Sequence, residues 1–311
     1  MNLRQLAYGI LSFAPGIPDS LYKGTGGTVS AEYCYCIWLR HLTLAHQAGM
    51  PATPATVAEL GPGDSIGTGL AALLSGSTRY VALDAIAHAD STRNLYIYDA
   101  LVELFRRQAD IPGPTQFPGI TLALPDYRFP RALLPPSRMQ AALAEERVAW
   151  LRKIVSGEQP DPGVLDYRAP WDQPTAADVG SVDFILSNAV LEHVADLPPV
   201  YAAMHQWLRS GGFASHQIDF RSHGLFKAWD GHWACPAWLW ALFMGRRAYL
   251  LNREPLVTHR DLARAAGFHE RHCLRAESTP ESRRLAHRFH KLSTEDRRTS
   301  GAYLLHEKAD I

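Results

Sequence analysis

The sequence predicts an α/β protein whose core is a Rossmann-like, mostly parallel sheet of about seven strands with helices on both faces. The first observation is an apolar run at 56–60 that leads into the glycine-rich segment 61–69 and then into a helix of small residues. The second is the run 80–83, which ends on Asp84. Strand, glycine-rich turn, helix, strand and terminal acid together form the unit that opens a doubly wound sheet.

Further strands are predicted along the rest of the chain. Apolar and β-branched runs place them at 164–169, 182–187, 213–219, 268–274 and 301–308. Between the segments 182–187 and 213–219, the apolar residues of 200–208 recur at helical spacing. Strands that alternate with helices are typical of a parallel sheet covered on both faces.

The chain is predicted to consist of an N-terminal helical cap, residues 1–54, and one main domain, residues 55–311. The main domain has more chain than the crossovers of its sheet require, so we expect insertions near 105–160 and 222–257. One helix is predicted at 137–155 within the first insertion. In the cap, Ser30 is the expected N-cap of a helix.

Charge and composition exclude several classes of protein. Lys and Arg total 31, as do Asp and Glu, and a chain without a basic excess is not expected to bind nucleic acid. No apolar run is long enough to span a bilayer. The 4 cysteines are scattered and lack the spacing of a zinc or redox motif, which is typical of a reducing compartment. We therefore predict a cytoplasmic protein.

In an open α/β sheet, ligands bind beyond the carboxyl ends of the strands. Gly61 and Gly63 allow the backbone to turn tightly and to approach a ligand closely. Asp84 ends the neighbouring strand, where a carboxylate can accept hydrogen bonds from both hydroxyls of a ribose; capping of a turn is the alternative. Gly67 comes one residue too late for the dinucleotide-binding fingerprint, which disfavours NAD.

A third segment, residues 187–194, leaves the end of the strand at 182–187. Asn188, Glu192 and His193 are polar groups in this segment and are expected to face the same cleft, with Asn188 against the ligand. We interpret His193 as a residue that shapes the pocket rather than as a catalyst. Tyr33, at the start of the N-terminal helix, either closes the ligand site or belongs to ordinary packing.

Taken in order, these motifs resemble those of the class I S-adenosylmethionine-dependent methyltransferases. The segment ELGPGDSIGTG is similar to their first motif, ALDA to the acid after the second strand, and SVDFILSNAVLEHV and LRSGGF to the motifs of the fourth and fifth strands. The resemblance implies that S-adenosylmethionine is the cofactor, that Glu59, Gly61 and Gly63 line its methionine end, and that Asp84 binds its ribose. It also implies that Asp172 lies near the adenine.

Two other functions stay open at this point. One is an NAD-dependent oxidoreductase, which the glycine spacing and the segment LEHV disfavour. The other is a non-catalytic module that keeps the methyltransferase fold and binds the cofactor. The intact residues Glu59, Gly61, Gly63 and Asp84 favour an active enzyme over such a module.

A narrower resemblance concerns the substrate. Bacterial methyltransferases associated with polysaccharide biosynthesis are similar in the long insertion after the second strand and in a second group of residues: Ser215, His216, Asp219, His223, Trp229, Trp233 and Tyr249–Arg253. This resemblance implies O-methylation of a sugar, a glycan or another small-molecule hydroxyl. Because arginine exceeds acid over 241–298, we expect a phosphorylated or nucleotide-linked acceptor as one possibility.

Methyl transfer to a hydroxyl requires a group that accepts the proton of that hydroxyl. His216, Asp219 and His223 lie at the end of the predicted fifth strand and are therefore the candidate catalytic residues. We predict that His223 is the base, with His216 as the second choice and Asp219 orienting His223 or binding the substrate hydroxyl. No resident metal is predicted, although Asp219 with His223 would be half of a divalent-cation site.

Overall fold

The computed structural model describes residues 1–14, 27–51, 53–121, 123–171, 178–247 and 249–309. Its seven strands are β1 Thr56–Leu60, β2 Arg79–Leu83, β3 Leu165–Arg168, β4 Val182–Asn188, β5 Leu208–Asp219, β6 Phe268–Glu277 and β7 Thr299–Lys308. They form one sheet in the order β3-β2-β1-β4-β5-β7-β6. Strands β1 to β5 run parallel, and β7 is antiparallel to both β5 and β6. The fold class predicted from the sequence is confirmed.

Helices cover both faces of this sheet. They are α1 Leu3–Leu11, α2 Ala31–Gln47, α3 Gly67–Leu74, α4 Ser91–Arg106, α5 Pro136–Ala142, α6 Glu145–Ser156, α7 Leu197–Trp207, α8 Gly231–Ala234, α9 Ala237–Met244, α10 Leu256–Ala265 and α11 Thr294–Arg298. The side chain of Ser30 accepts a hydrogen bond from the Tyr33 amide and caps α2, as its position in the sequence predicts. No helix within the described ranges has the length and apolar character needed to cross a membrane.

Two apolar layers hold the sheet between them. Helices α2, α3 and α4 pack on one face, in a core that includes Trp38, Tyr80 and Phe184. Helices α7 and α10 pack on the other face, against Ile185 and Leu304. Because α2 shares its core with α3 and α4, the N-terminal segment is bound to the sheet rather than appended to it.

The predicted helix at 137–155 is wrong in one respect, because the structure divides it into α5 and α6. The backbone of Ala144 between them is extended, with φ −54° and ψ 136°. Glu145 and Glu146 then occupy the first turn of α6, where negative charge is favoured by the helix dipole. Helical spacing of apolar residues continues across this break, so the spacing alone conceals it.

The order of strands reverses between β1 and β4, because β2 and β3 extend the sheet to one side of β1 and β4 extends it to the other. A ligand crevice is expected at such a reversal, beyond the carboxyl ends of the two strands. The glycine-rich turn follows β1, and the segment 189–193 follows β4. The topology therefore brings together the first and third segments that the sequence singled out.

Candidate active site

The turn after β1 requires glycine at two positions. Gly61 and Gly63 have φ values of 64° and 76°, in the left-handed region that side chains disfavour. A Cβ atom on Gly61 would lie 2.7 Å from a methyl carbon of Val190, in the segment that follows β4. A side chain at position 61 would thus separate the two halves of the crevice.

Asp84 follows β2 beside this turn and is 7% exposed. One carboxylate oxygen accepts the amide hydrogen of Ala85 at 2.8 Å, whereas the buried Oδ2 has no hydrogen-bond partner. Burial raises the pKa of this carboxyl. An unpaired buried acceptor of this kind is what a ligand hydroxyl would satisfy, so the site fits the ribose contact that the sequence predicts.

Glu59 lies at the next-to-last position of β1, beneath the start of α3. It is buried, and its Oε2 accepts a hydrogen bond from the Tyr80 hydroxyl at 2.6 Å. Burial raises the pKa of Glu59 to about 7. Gly69 leaves room for the Tyr80 ring, since a Cβ at position 69 would lie 2.0 Å from that ring.

Asn188 ends β4 and reaches the N-terminal helix. Its side-chain amide donates to the Tyr33 hydroxyl at 2.9 Å, and its own oxygen is buried without a partner. The segment before α2 is also fixed to the glycine-rich turn, because the Thr28 hydroxyl donates to the Pro62 carbonyl and accepts from the Ser65 amide. The N-terminal segment therefore forms one wall of the crevice.

The predicted catalytic residues do not all lie together. His216 is completely buried, and its Nδ1 lies 2.8 Å from the Ser187 hydroxyl. Its ring lies near those of Tyr201 and His306, on the face of the sheet that α7 and α10 cover. The inward direction follows from strand alternation, which turns residue 216 towards this core. A base must reach its substrate, so the structure removes the support for His216 as the second-choice base.

Asp219 and His223 do lie together, at the end of β5. The Asp219 Oδ2 atom is 3.3 Å from His223 Nε2, and Arg221 contacts both carboxylate oxygens of Asp219. Burial by itself would raise the pKa of Asp219, but the hydrogen bonds from His223 and Arg221 hold that pKa below its usual range. Asp219 is thus an ionised group that orients His223. The His223 side chain is 29% exposed and accessible to a substrate.

Glu192 and His193 complete this end of the crevice, in the 3₁₀ turn Leu191–His193. Glu192 Oε1 accepts the Asp219 amide hydrogen at 3.2 Å, and burial raises the pKa of Glu192 to about 8. His193 Nδ1 lies 2.9 Å from the Tyr249 carbonyl, and burial lowers its pKa to about 4. The His193 and His223 ring centroids are 5.1 Å apart. The sequence analysis places Glu192 in the cleft without a chemical role, because the signal is only an acid inside an apolar run.

Backbone strain concentrates at the same place. The described part of the chain has five non-glycine residues with positive φ, and four of them are Ala189, His223, Tyr249 and Arg253. Ala189 follows β4, His223 is the candidate base, and the Tyr249 carbonyl contacts His193. Unusual backbone conformations are retained chiefly at functional sites, where the surrounding structure enforces them.

Two further predictions need to be placed. Asp172, expected near the adenine, lies outside the described residues. Six of the twelve arginines of 241–298 contact an Asp or Glu among the described residues, namely Arg260, Arg264, Arg271, Arg275, Arg288 and Arg298. Arg253 is buried, and its guanidinium donates to the carbonyls of His232 and Cys235. The arginine excess is therefore weak support for a phosphorylated acceptor.

The comparisons with known proteins concern the central part of this site. A family model described as a methyltransferase domain matches residues 143–215. The match covers α6, β3, β4, α7 and the start of β5, so it includes Asn188, Glu192 and His193. No curated protein matches the chain.

Solved structures with related folds were also found. One is described as an S-adenosylmethionine-dependent methyltransferase from Listeria monocytogenes, with 11% identity, TM-score 0.41, and coverage of 88% of this chain and 99% of that one. Another, from Mesorhizobium loti, has 12% identity, TM-score 0.41, and coverage of 86% and 97%. A third, described as a sarcosine dimethylglycine methyltransferase from Galdieria sulphuraria, has 12% identity, TM-score 0.46, and coverage of 88% and 86%.

The domain match, rather than these distant likenesses, decides the class. The chain carries a methyltransferase domain over residues 143–215. This confirms the methyltransferase class predicted from the sequence, whereas the cofactor stays a prediction. It also disfavours the NAD-dependent alternative, in line with the late third glycine at position 67.

Proposed function

We propose that this methyltransferase transfers the methyl group of S-adenosylmethionine to a hydroxyl of a sugar, a glycan or another small molecule. The observation that carries the proposal is the continuous edge formed by the ends of β1, β2, β4 and β5. One half of this edge offers the glycine-rich turn and unpaired acceptor atoms on Asp84 and Asn188. The other half offers an accessible imidazole, His223, held by the Asp219 carboxylate.

The first half suits the cofactor. Asp84 would accept the ribose hydroxyls through its unpaired oxygen, and Asn188 would accept a donor of the cofactor through its side-chain oxygen. Gly61 and Gly63, with Glu59 behind them, would border the methionine end. S-adenosylmethionine supplies a methyl group on a positively charged sulfur, which favours a neighbouring carboxylate. The protein's part in this half is to bind and orient.

The second half suits the acceptor. Asp219 accepts the hydrogen on His223 Nε2, so the other ring nitrogen of His223 is free to take the proton of the acceptor hydroxyl. As that proton leaves, the acceptor oxygen bonds the methyl carbon and the carbon–sulfur bond breaks. The products are a methyl ether, S-adenosylhomocysteine and a proton on His223. Tyr249, 49% exposed next to His193, gives a flat surface on which a sugar ring can lie.

The chemical class of the acceptor follows from the charges around this half. Because the nearby arginines are paired with acids or with carbonyl groups, the proposal does not require a phosphate on the acceptor. A neutral polyhydroxyl compound is favoured. The resemblance to enzymes of polysaccharide biosynthesis supports the same choice.

Calorimetric titration separates the leading function from the alternatives. We expect the purified protein to bind S-adenosylhomocysteine with measurable heat and NAD with none. Transfer of a labelled methyl group would then be screened over free sugars, nucleotide sugars and lipid-linked glycans. Absence of binding to S-adenosylhomocysteine would refute the proposal, whereas binding without transfer to any acceptor would favour the non-catalytic module.

Replacement of Asp84 tests the cofactor half. Asp84→Ala is expected to weaken binding of S-adenosylhomocysteine by about 1–3 kcal/mol, because ribose hydroxyls would lose their buried acceptor. Calorimetry measures this loss directly. Glu158→Ala, which removes an exposed carboxylate elsewhere, should leave the affinity unchanged. Equal affinities for the two variants would contradict the role of Asp84.

A further inference from the structure

Three side chains at the acceptor end of the crevice have the composition of a metal site. Glu192, His193 and His223 each offer a ligand atom, and these atoms all lie within 4.8 Å of one another. Around a bound cation with metal–ligand bonds of about 2 Å, ligand atoms are separated by roughly 3–3.5 Å. The three groups are therefore close to the spacing that a single ion would impose.

The hydrogen bonds behind these side chains fix which atoms are free. The Tyr249 carbonyl only accepts, so His193 Nδ1 must carry the hydrogen at 2.9 Å, and Nε2 keeps its lone pair. The Asp219 Oδ2 atom lies 3.3 Å from His223 Nε2, so that nitrogen donates to the carboxylate and Nδ1 keeps its lone pair. Imidazoles that bind metals are oriented in this way, by a carbonyl or carboxylate on the second nitrogen.

The carboxylate shows the same arrangement. Glu192 Oε1 accepts the Asp219 amide hydrogen, whereas Oε2 is buried without a partner, and the residue is 3% exposed. Each of the three side chains thus has a possible ligand atom, and no donor of the described residues pairs with Glu192 Oε2. One cation can bind a ligand atom of each of the three side chains at once, whereas a single hydrogen-bond donor could not pair with all three.

From this arrangement we infer that Glu192, His193 and His223 bind a divalent first-row transition-metal ion. Two imidazoles and one carboxylate suit zinc, cobalt, iron or manganese better than calcium or magnesium, which prefer oxygen ligands. Three protein ligands leave at least one position open, as in catalytic rather than structural sites.

The consequence for the reaction rests on the proposed function. An acceptor hydroxyl in the open position loses its proton more readily, because the cation stabilises the alkoxide. The proton then passes to water, the oxygen bonds the methyl carbon, and the carbon–sulfur bond breaks as before. In this state His223 is a ligand, and the cation replaces it as the group that activates the hydroxyl.

Metal binding is tested on the full chain with cobalt and zinc as probes. After treatment with a chelator, the protein is titrated with Co²⁺, and we expect one equivalent to bind, with visible absorption bands that Zn²⁺ abolishes. His193→Gln and Glu192→Gln should each weaken this binding by about 100-fold or more, because each removes one of three ligands. The matched control is the double variant His287→Gln and His290→Gln, which removes an exposed histidine pair with ring centroids 5.0 Å apart.

Each outcome decides the inference. Tight 1:1 binding that survives in the control and is lost in both ligand variants supports it. Absence of tight binding, or its retention in His193→Gln, overturns it. If a variant does not fold, nuclear magnetic resonance of the wild-type protein provides the test. Zn²⁺ binding must then shift the ring resonances of His193 and His223. Binding of S-adenosylhomocysteine is measured in parallel, so failure here leaves the proposed methyl transfer intact.

Discussion

A fall in pH from about 7.5 to about 5.5 is expected to lower the free energy of unfolding by roughly 3–5 kcal/mol, because six histidines are neutral in the folded protein. One is His193, and the other five are completely buried. They are at most 2% exposed: His41, His216, His232, His259 and His306. Burial lowers the pKa of His41, His232 and His259 to about 3, that of His306 to about 4, and that of His216 well below its usual value.

The sign follows from proton binding. The unfolded chain, with histidine pKa values of about 6.5, binds more protons than the folded protein below that pH. Each histidine therefore stabilises the fold above about pH 6.5, and over this range each loses roughly 1–2 kcal/mol of that contribution. Glu59 and Glu192 act in the opposite direction because burial raises their pKa values. Together they offset about 4 kcal/mol of the stability that the histidines lose.

Urea unfolding at the two pH values measures this effect, and single variants identify its source. His259→Gln keeps a polar group opposite the Tyr201 hydroxyl, which lies 3.1 Å from His259 Nδ1. It should reduce the pH-dependent loss by roughly 1–2 kcal/mol. His269→Gln, on the exposed edge of β6, should not change it. Identical pH dependence in both variants would show that the core histidines are not responsible.

The fold was predictable because local patterns in this sequence agree with the tertiary structure. Five of the strands have apolar runs of strand length, and the turn at 61–69 has the glycines that its backbone requires. The break between α5 and α6 was not predictable from apolar spacing. It depends on the extended backbone of one residue, Ala144, and spacing on either side of it is unchanged.

The candidate site was predictable where a residue acts through its position at a strand end. Asp84, Asn188 and Asp219 all lie at the carboxyl edge of the sheet, as their places in the sequence indicate. His216 was misplaced because sequence neighbours on a strand alternate between its faces, and only the packing of α7 and α10 shows which face is closed. Glu192 and His193 approach His223 through a turn whose path the sequence does not specify.

His223→Gln is expected to lower the turnover number by about 10²–10⁴-fold while the affinity for S-adenosylhomocysteine stays within about twofold. The imidazole activates the acceptor hydroxyl, directly as a base or as a ligand of the cation, and glutamine does neither well. Asp219 binds His223 Nε2, so Asp219→Asn should show a smaller loss from an imidazole that is less well oriented. His290→Gln, on the exposed surface, should retain full activity.

The two roles of His223 give different results in the same variant. If His223 is the base, added imidazole should restore part of the activity of His223→Gln. The Co²⁺ affinity of this variant should then have little effect on the rate. If His223 is a ligand, activity should return with excess Zn²⁺ or Co²⁺ rather than with imidazole, because the missing group is then the cation. Full turnover in His223→Gln without either addition would contradict both roles, since no other histidine near the end of β5 is both accessible and paired with Asp219 among the described residues.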